Sequence, residues 1–211
     1  MRLPSSAHES RPWVISRIAP DFTLLDVWAL PVRGGPEDRD AALEVLTSLD
    51  PAAADCAASR ALFRLRFRLG AWFGWDDAAE KRPIPGCTET SLSARLPDAL
   101  RGSANGTAMS SAVRRAAGGF TPLYRTRDEW AAEISNATVH GVLHLAWVDE
   151  GDGRHRAHMA VYVKPRGTLG ELYLLLIQPF RHLVVYPALM RQLERAWDAR
   201  RSARSIEAGG F

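Results

Sequence analysis

At 211 residues, 46% of them hydrophobic, with seven Trp, seven Phe and four Tyr, the chain suits one domain with a substantial core and is excluded from the disordered class. Its net charge of +3 rests on 25 Arg against two Lys, a bias read as GC-rich bacterial coding rather than as a nucleic-acid surface. Two cysteines, Cys56 and Cys87, form neither a disulfide framework nor a metal cluster; reduced thiols in a cytoplasmic protein are expected, with a lone disulfide as the alternative.

Met1 to Pro20 has Arg2, Glu9, Arg11 and Arg17 scattered through it and no continuous apolar stretch, so it reads as an arm ordered in part through Trp13, Val14 and Ile15, not as a secretory signal. Asp21 to Val32 is aromatic and β-branched and predicts the first strand, ending before Arg33-Gly34-Gly35-Pro36. Ala42, Leu43, Val45 and Leu46 predict a helix over Asp38 to Leu49, closed by Asp50-Pro51. Ser59 to Phe73 carries two signals. Phe63 to Leu69 alternates as a strand does, whereas Leu62, Leu65, Leu69, Trp72 and Phe73 make one helical face; length and Ala, Leu and Arg propensity favour the helix. Lys81 to Gly119 is rich in Pro and Gly and predicts loops, short strands and a lid. Phe120 to Arg125 predicts a strand, and Thr126-Arg127-Asp128-Glu129 has the form of a capping box opening a short helix, Trp130 to Ser135, closed by Asn136. Thr138 to Val148 and His155 to Lys164 form a hairpin, and a long helix runs from Gly167-Thr168 to about Arg201. The expected division is an arm (1–19), one domain (20–201) and a polar tail (202–211). A hairpin feeding a long helix predicts an α+β shape, a sheet wrapped round a helix.

Within the hairpin, His140, Val142, His144, Ala146 and Val148 share one face, and His158, Ala160, Tyr162 and Lys164 share the matching face of the partner strand. A turn centred near Gly151 sets His144 opposite His158 and His140 opposite Tyr162, a register that a slip would undo. Paired imidazoles suit a metal or a general base, but no third ligand is spaced for zinc; the plainer reading is half-exposed imidazoles on a convex face, and no metal is expected. In the final helix Gln178, His182 and Tyr186 recur every four residues beside Arg181, while Leu172, Leu176, Leu183, Met190 and Trp197 supply an apolar stripe to face the sheet. Pro179 and Pro187 each remove a helical hydrogen bond, and a helix kinked over a curved sheet leaves room for a ligand. The alternative puts the polar stripe on the outer face. The ligand-binding candidates are thus His140, His144, Trp147, Tyr162, Gln178, Arg181, His182 and Tyr186, with Glu133 an available carboxylate. The stretch Leu172 to Met190 is membrane-like but is interrupted by Gln178-Pro179-Phe180-Arg181-His182, which favours a buried helix of a soluble protein. There is no G-x-S-x-G, phosphate loop, G-x-G-x-x-G or H-E-x-x-H, which removes the common hydrolase, NTPase, dinucleotide-binding and zinc-protease mechanisms.

The runs Thr138-Val139-His140-Gly141-Val142-Leu143-His144-Leu145-Ala146-Trp147 and Pro179-Phe180-Arg181-His182-Leu183-Val184-Val185-Tyr186-Pro187-Ala188-Leu189-Met190 resemble the bacterial family catalogued as domain of unknown function 2867. Asp21–Val32, Ser91–Pro97 and Tyr124–Asn136 are similar to it as well, so the resemblance covers roughly residues 20 to 200. It implies a helix-grip fold like that of START-like and pollen-allergen proteins, a curved antiparallel sheet around a long C-terminal helix. Members sometimes follow a reductase-like domain that is absent here, so no cofactor is implied, and the family has no established activity to transfer. The expected function is binding of a small apolar ligand in a cavity between sheet and helix, near Trp28, Trp72, Trp75 and Trp147. Two alternatives are a cyclase, dehydratase or hydrolase using a His/Tyr or His/Glu pair in that cavity, and an interaction module whose partners include a second copy of the chain. Neither nucleic acid nor membrane is expected as a partner.

Overall fold

The computed structural model describes residues 1–48, 82–104 and 120–208; the helix expected at Ser59–Phe73, with Cys56, Trp72 and Trp75, lies outside them. A two-residue strand, β1 (Arg2–Leu3), leads through short helices α1 (Ser6–Glu9) and α2 (Val14–Ile18) into β2 (Thr23–Gly34), the strand expected at Asp21–Val32. Pro31 has no amide to donate, and the pairing of β2 is irregular there, between Ala29 and Arg33. Helix α3 (Arg39–Ser48) follows, and then four strands, β3 (Thr121–Arg125), β4 (Glu129–Ser135), β5 (Val139–Gly151) and β6 (Arg154–Pro165). The strands form one antiparallel sheet in the order β1-β2-β6-β5-β4-β3, curved and open. With the long C-terminal helix this is an α+β arrangement consistent with a helix-grip.

The β5–β6 hairpin turns at Asp152-Gly153, whose φ angles of 54° and 72° suit a tight two-residue hairpin turn. Gly151, at φ 94°, pairs with Arg154 just before it, across an irregular step in the ladder. The turn therefore lies beyond Gly151, and the register moves by two residues: His140 faces Lys164, His144 faces Ala160 and His158 faces Ala146. The expected partners are corrected, yet an even shift leaves every side chain on its expected face.

The residues expected as the short helix Trp130–Ser135 are strand β4, hydrogen-bonded to β3 and to β5. Both of its faces are buried, so the two-residue alternation that marks a half-exposed strand is absent from the sequence. Thr126 Oγ1 accepts from the amides of Asp128 and Glu129, as a cap would, but it closes a turn between strands. Asn136 caps no helix; its Oδ1 accepts from Thr138 N, Thr138 Oγ1 and Val139 N, each at 2.9 Å, fixing the β4–β5 turn.

Both faces of the sheet are covered. On one, Trp13, Val14, Ile15 and Ile18 from the N-terminal stretch join Ile84, Leu92 and Leu96 against Val142, Ala146, Ala160 and Tyr162. On the other, Ala42 and Val45 of α3 and Tyr186, Leu193 and Trp197 of the C-terminal helix pack on Leu30, Val32, Trp130, Leu145, Trp147 and Met159. Each fully buried large apolar side chain contributes about 1.5–3 kcal/mol of transfer free energy.

The final helix is two α-helices, α4 (Gly167–Phe180) and α5 (Tyr186–Ala208), joined by a widened π turn at Arg181–Val185. The turn sits between Pro179 and Pro187, where the regular hydrogen-bond ladder lacks two donors. A π turn adds one residue, about 100° of helix rotation. This rotation corrects the expected apolar stripe. Trp197 is buried and Met190 packs on the sheet side, but Leu172, Leu176 and Leu183 are exposed, Leu183 to 77%. Gly170 is the buried residue of α4, set against the Thr138 carbonyl, and Arg166 ties the start of α4 to the β4–β5 turn through Asn136 O and Ser135 Oγ. The stretch Leu172–Met190, expected as a buried helix, is buried only at Tyr186 and Ala188, and α5 meets the sheet along one face through Tyr186, Leu193 and Trp197. Gly167–Ser205 is long and apolar enough to cross a membrane by length and composition alone; such a helix is weak evidence, and the arrangement is compatible with a soluble protein.

Candidate functional site

Strand β2 is almost wholly apolar, yet it carries Asp26, whose carboxylate is buried. The irregular step between Leu24 and Asp26 shifts the strand's pairing on β6 at this point. On the helix side, Asp26 Oδ1 lies 2.7 Å from His182 Nε2, and Oδ2 is 2.9 Å from the Tyr186 hydroxyl and 2.8 Å from Arg181 Nη2. Arg181 also donates to the Tyr186 oxygen, so the phenol accepts from the guanidinium and donates to the carboxylate. Arg2 of β1 adds a longer ion pair to Oδ1 at 3.7 Å. The π turn creates this convergence: Arg181 and Tyr186 are five residues apart, the spacing that such a turn stacks. Burial pushes the Tyr186 hydroxyl above its ordinary range; Arg181 opposes the shift and Asp26 reinforces it. A carboxylate only accepts, so His182 Nε2 carries the hydrogen, and in the neutral ring Nδ1 is the acceptor. The Trp28 ring, 4.7 Å from Tyr186 and 6.2 Å from His182, forms the apolar wall.

The opposite face of the sheet holds a repeated pair. Glu129 and Glu133 on β4 meet His144 and His140 on β5, at 3.1 Å and 2.9 Å from the respective Nε2 atoms. Both histidines are fully buried, and their Nδ1 atoms have no partner among the described residues. Each carboxylate also accepts from the covering layer, Glu129 from the Val14 amide at 2.9 Å and Glu133 from the Leu92 amide at 2.9 Å and from Ser91 Oγ, and Glu129 accepts from the Tyr124 hydroxyl of β3 as well. Burial, reinforced by Glu129, raises the Tyr124 hydroxyl well above its usual range. The two pairs thus fasten the layer above the sheet. His8 sits against them, 5.0 Å from the His144 ring and 5.7 Å from Tyr162. Its desolvation, then His144, His158 and Arg11, lower its pKa to about 3.

The eight candidate residues are therefore divided. Arg181, His182 and Tyr186 come together on the helix side, and Trp147 is buried on that same face, its indole N–H donating to Gly35 O at 3.2 Å. His140, His144 and Tyr162 lie on the other face, buried rather than half-exposed, and Gln178 points to solvent. The helix rotation at the π turn separates Gln178 from His182 and Tyr186. Sequence reasoning missed Asp26 and Glu129; the lone carboxylate within an apolar strand, and acidic residues spaced four apart before histidines spaced four apart, were the available signals. Cys87 lies 3.1 Å from Arg95 Nη2 and 3.8 Å from Lys164 Nζ, with Asp21 alongside. Two clefts are lined by described residues outside the C-terminal helix, one of about 30 Å³ under α3, with room for a water, and one of about 460 Å³.

No curated protein and no solved structure matches the chain. A family model does, over residues 18–188, and its description is a protein of unknown function, DUF2867. That span runs from the end of α2 to the start of α5 and includes Asp26, both Glu–His pairs, Arg181, His182 and Tyr186: the chain belongs to the DUF2867 family.

Proposed function

We propose that this protein binds a small, largely apolar molecule along its C-terminal helix, with the polar end of the ligand at Arg181 and His182. The observation that carries this reading is the set of exposed apolar side chains Leu172, Leu175, Leu176 and Phe180 on α4 and Leu183 in the π turn, adjacent in the chain to Arg181 and His182, which pair with Asp26. Exposed apolar surface of this kind marks an interaction site. His182 Nδ1 offers an acceptor and Arg181 a donor, which suits a hydroxyl, carbonyl or carboxylate at the end of a hydrocarbon body. The site lies on the flank of the helix, not in an enclosed cavity, and the reading keeps the protein cytoplasmic. Native mass spectrometry of gently purified protein should reveal an adduct of lipid-like mass, and a fluorescent fatty acid should titrate to saturation. Leu176→Asp with Leu183→Asp should abolish both. A protein that binds no fatty acid and shows only a doubled mass would replace the reading by pairing of two copies through α4.

The 2.7 Å contact from Asp26 to His182 favours a second reading, acid–base catalysis of the cyclase, dehydratase or hydrolase type on the same bound molecule. A carboxylate behind an imidazole orients it and stabilises the imidazolium formed when Nδ1 takes a proton. Asp26→Asn should then keep ligand affinity and lose turnover; affinity and turnover falling together would leave binding alone.

A further inference from the structure

At the opposite end of β2 from Asp26, a cleft of about 460 Å³ opens between the N-terminal stretch, the start of α3, the β3–β4 turn and the β5–β6 hairpin. Its size lies within the range of small-molecule sites, roughly 300–1,000 Å³. Its lining combines ring faces with guanidinium groups. His155 lies nearly parallel to Trp147, at 6.1 Å between centroids and 19° between planes. The Trp147 N–H is already taken by Gly35 O, so this pair offers a flat surface rather than a donor. Trp13 lines the cleft as a buried indole, its ring already stacked on His8 at 5.8 Å and carrying the Arg11 guanidinium 6.0 Å over it. Arg11 makes a long 3.5 Å bond to the Asp149 carbonyl, and Arg127 stands exposed on the β3–β4 turn. Of the three lining carboxylates, Glu129 is fully engaged, and Asp128 and Asp149 lie exposed. Glu129 is taken up by Val14, Tyr124 and His144, and Asp149 Oδ1 accepts the Gly151 amide at 2.7 Å, while Asp128 is exposed at the rim. Arg39 is held by Asp40 at 3.0 Å, so Arg11 and Arg127 are the cations with donors to give.

We infer that this cleft binds a planar aromatic anion, its ring against His155 and its charge between Arg11 and Arg127. Guanidinium forks match carboxylate and phosphate alike, and a stacked guanidinium keeps its edge donors for them. The shared chemistry is a flat ring bearing an oxyanion, whether an aryl carboxylate or a nucleobase with its phosphate.

The full chain titrated with 2-naphthoate and, separately, with adenosine monophosphate tests this by calorimetry and by Trp fluorescence. At least one should saturate with a Kd below about 1 mM. Saturation by naphthoate alone assigns the carboxylate and by the nucleotide alone the phosphate. Arg127→Ala should weaken binding roughly tenfold at an unchanged thermal midpoint, and Arg191→Ala, on α5, should not. Leu183→Asp should leave these titrations untouched, which separates this cleft from the helix site. Failure of both probes to saturate, or wild-type binding by both Arg11→Ala and Arg127→Ala, overturns the inference.

Discussion

Asp26 has both carboxylate oxygens occupied inside the protein, by groups about 155 residues away in sequence. Removing one member of a buried ion pair leaves the other uncompensated, so Asp26→Ala should cost about 3–5 kcal/mol in urea denaturation. Asp26→Ala with Arg181→Ala should recover part of that loss. The Asp26 cluster was half legible: Arg181, His182 and Tyr186 stood out as polar insertions in an apolar helix, but nothing local to β2 names the distant groups that meet its carboxylate. The buried histidines give a pH prediction. His8 is held at about 3 and His158 at about 4, each chiefly by burial, with Arg11 contributing to both. Unfolded, both take up a proton near pH 6.5; folded, they do not until far lower. Their contribution is therefore complete above about pH 6.5 and is lost as the pH falls toward 4 and then 3, by at most about 1.4 kcal/mol per unit for each histidine. Asp21, which burial would raise but Arg95 and Lys164 hold low, adds its own loss only below about pH 4. Thermal midpoints should hold level from pH 7.5 to about 6.5 and decline from there to pH 4.5, and His8→Phe should flatten that decline.

Helix α4 approaches the β4–β5 turn so closely that a methyl group at Gly170 would collide with the Thr138 carbonyl. Gly170→Ala should therefore lower stability by roughly 1–3 kcal/mol despite better helix propensity, measurable as a lower thermal midpoint. An unchanged midpoint would mean that α4 shifts freely. At this scale the strands with one clear composition were legible: β2, β3 and the two hairpin strands. β4 was not, because Trp130 and Ala132 are buried toward the C-terminal helix while Ala131 and Glu133 are buried toward the N-terminal layer. Residues buried on both sides show no period of two, and a Thr-x-x-Glu turn looks like a helix start. The long helix was legible in extent but not in phase, since two prolines announce a disturbance without stating whether a kink or an added residue resolves it.

Among the described residues the apolar surface is distributed unevenly: the sheet is covered on both faces while Leu172, Leu175, Leu176 and Phe180 of α4 are exposed. Exposed substitutions seldom change stability by more than about 0.5 kcal/mol, so Leu176→Asp and Leu183→Asp should leave unfolding curves nearly unmoved. They should nevertheless reduce binding of a hydrophobic dye and any concentration-dependent association seen in sedimentation. Overall class was readable from the hairpin and the helix, whereas the covering of the second face was not, because it depends on short pieces such as α1 and α2 whose individual signals are weak. The strand order has a further consequence, for the chain as it is made. β2 lies beside β6, with Val27 opposite Ala160, so this apolar strand has no full-length neighbour until the residues through β6 have been made. At synthesis rates of about 5–20 residues per second that interval is on the order of ten seconds. Over that time Phe22 to Val32 is an unpaired, strand-forming segment, and how well it is shielded as it emerges will set the yield of folded protein.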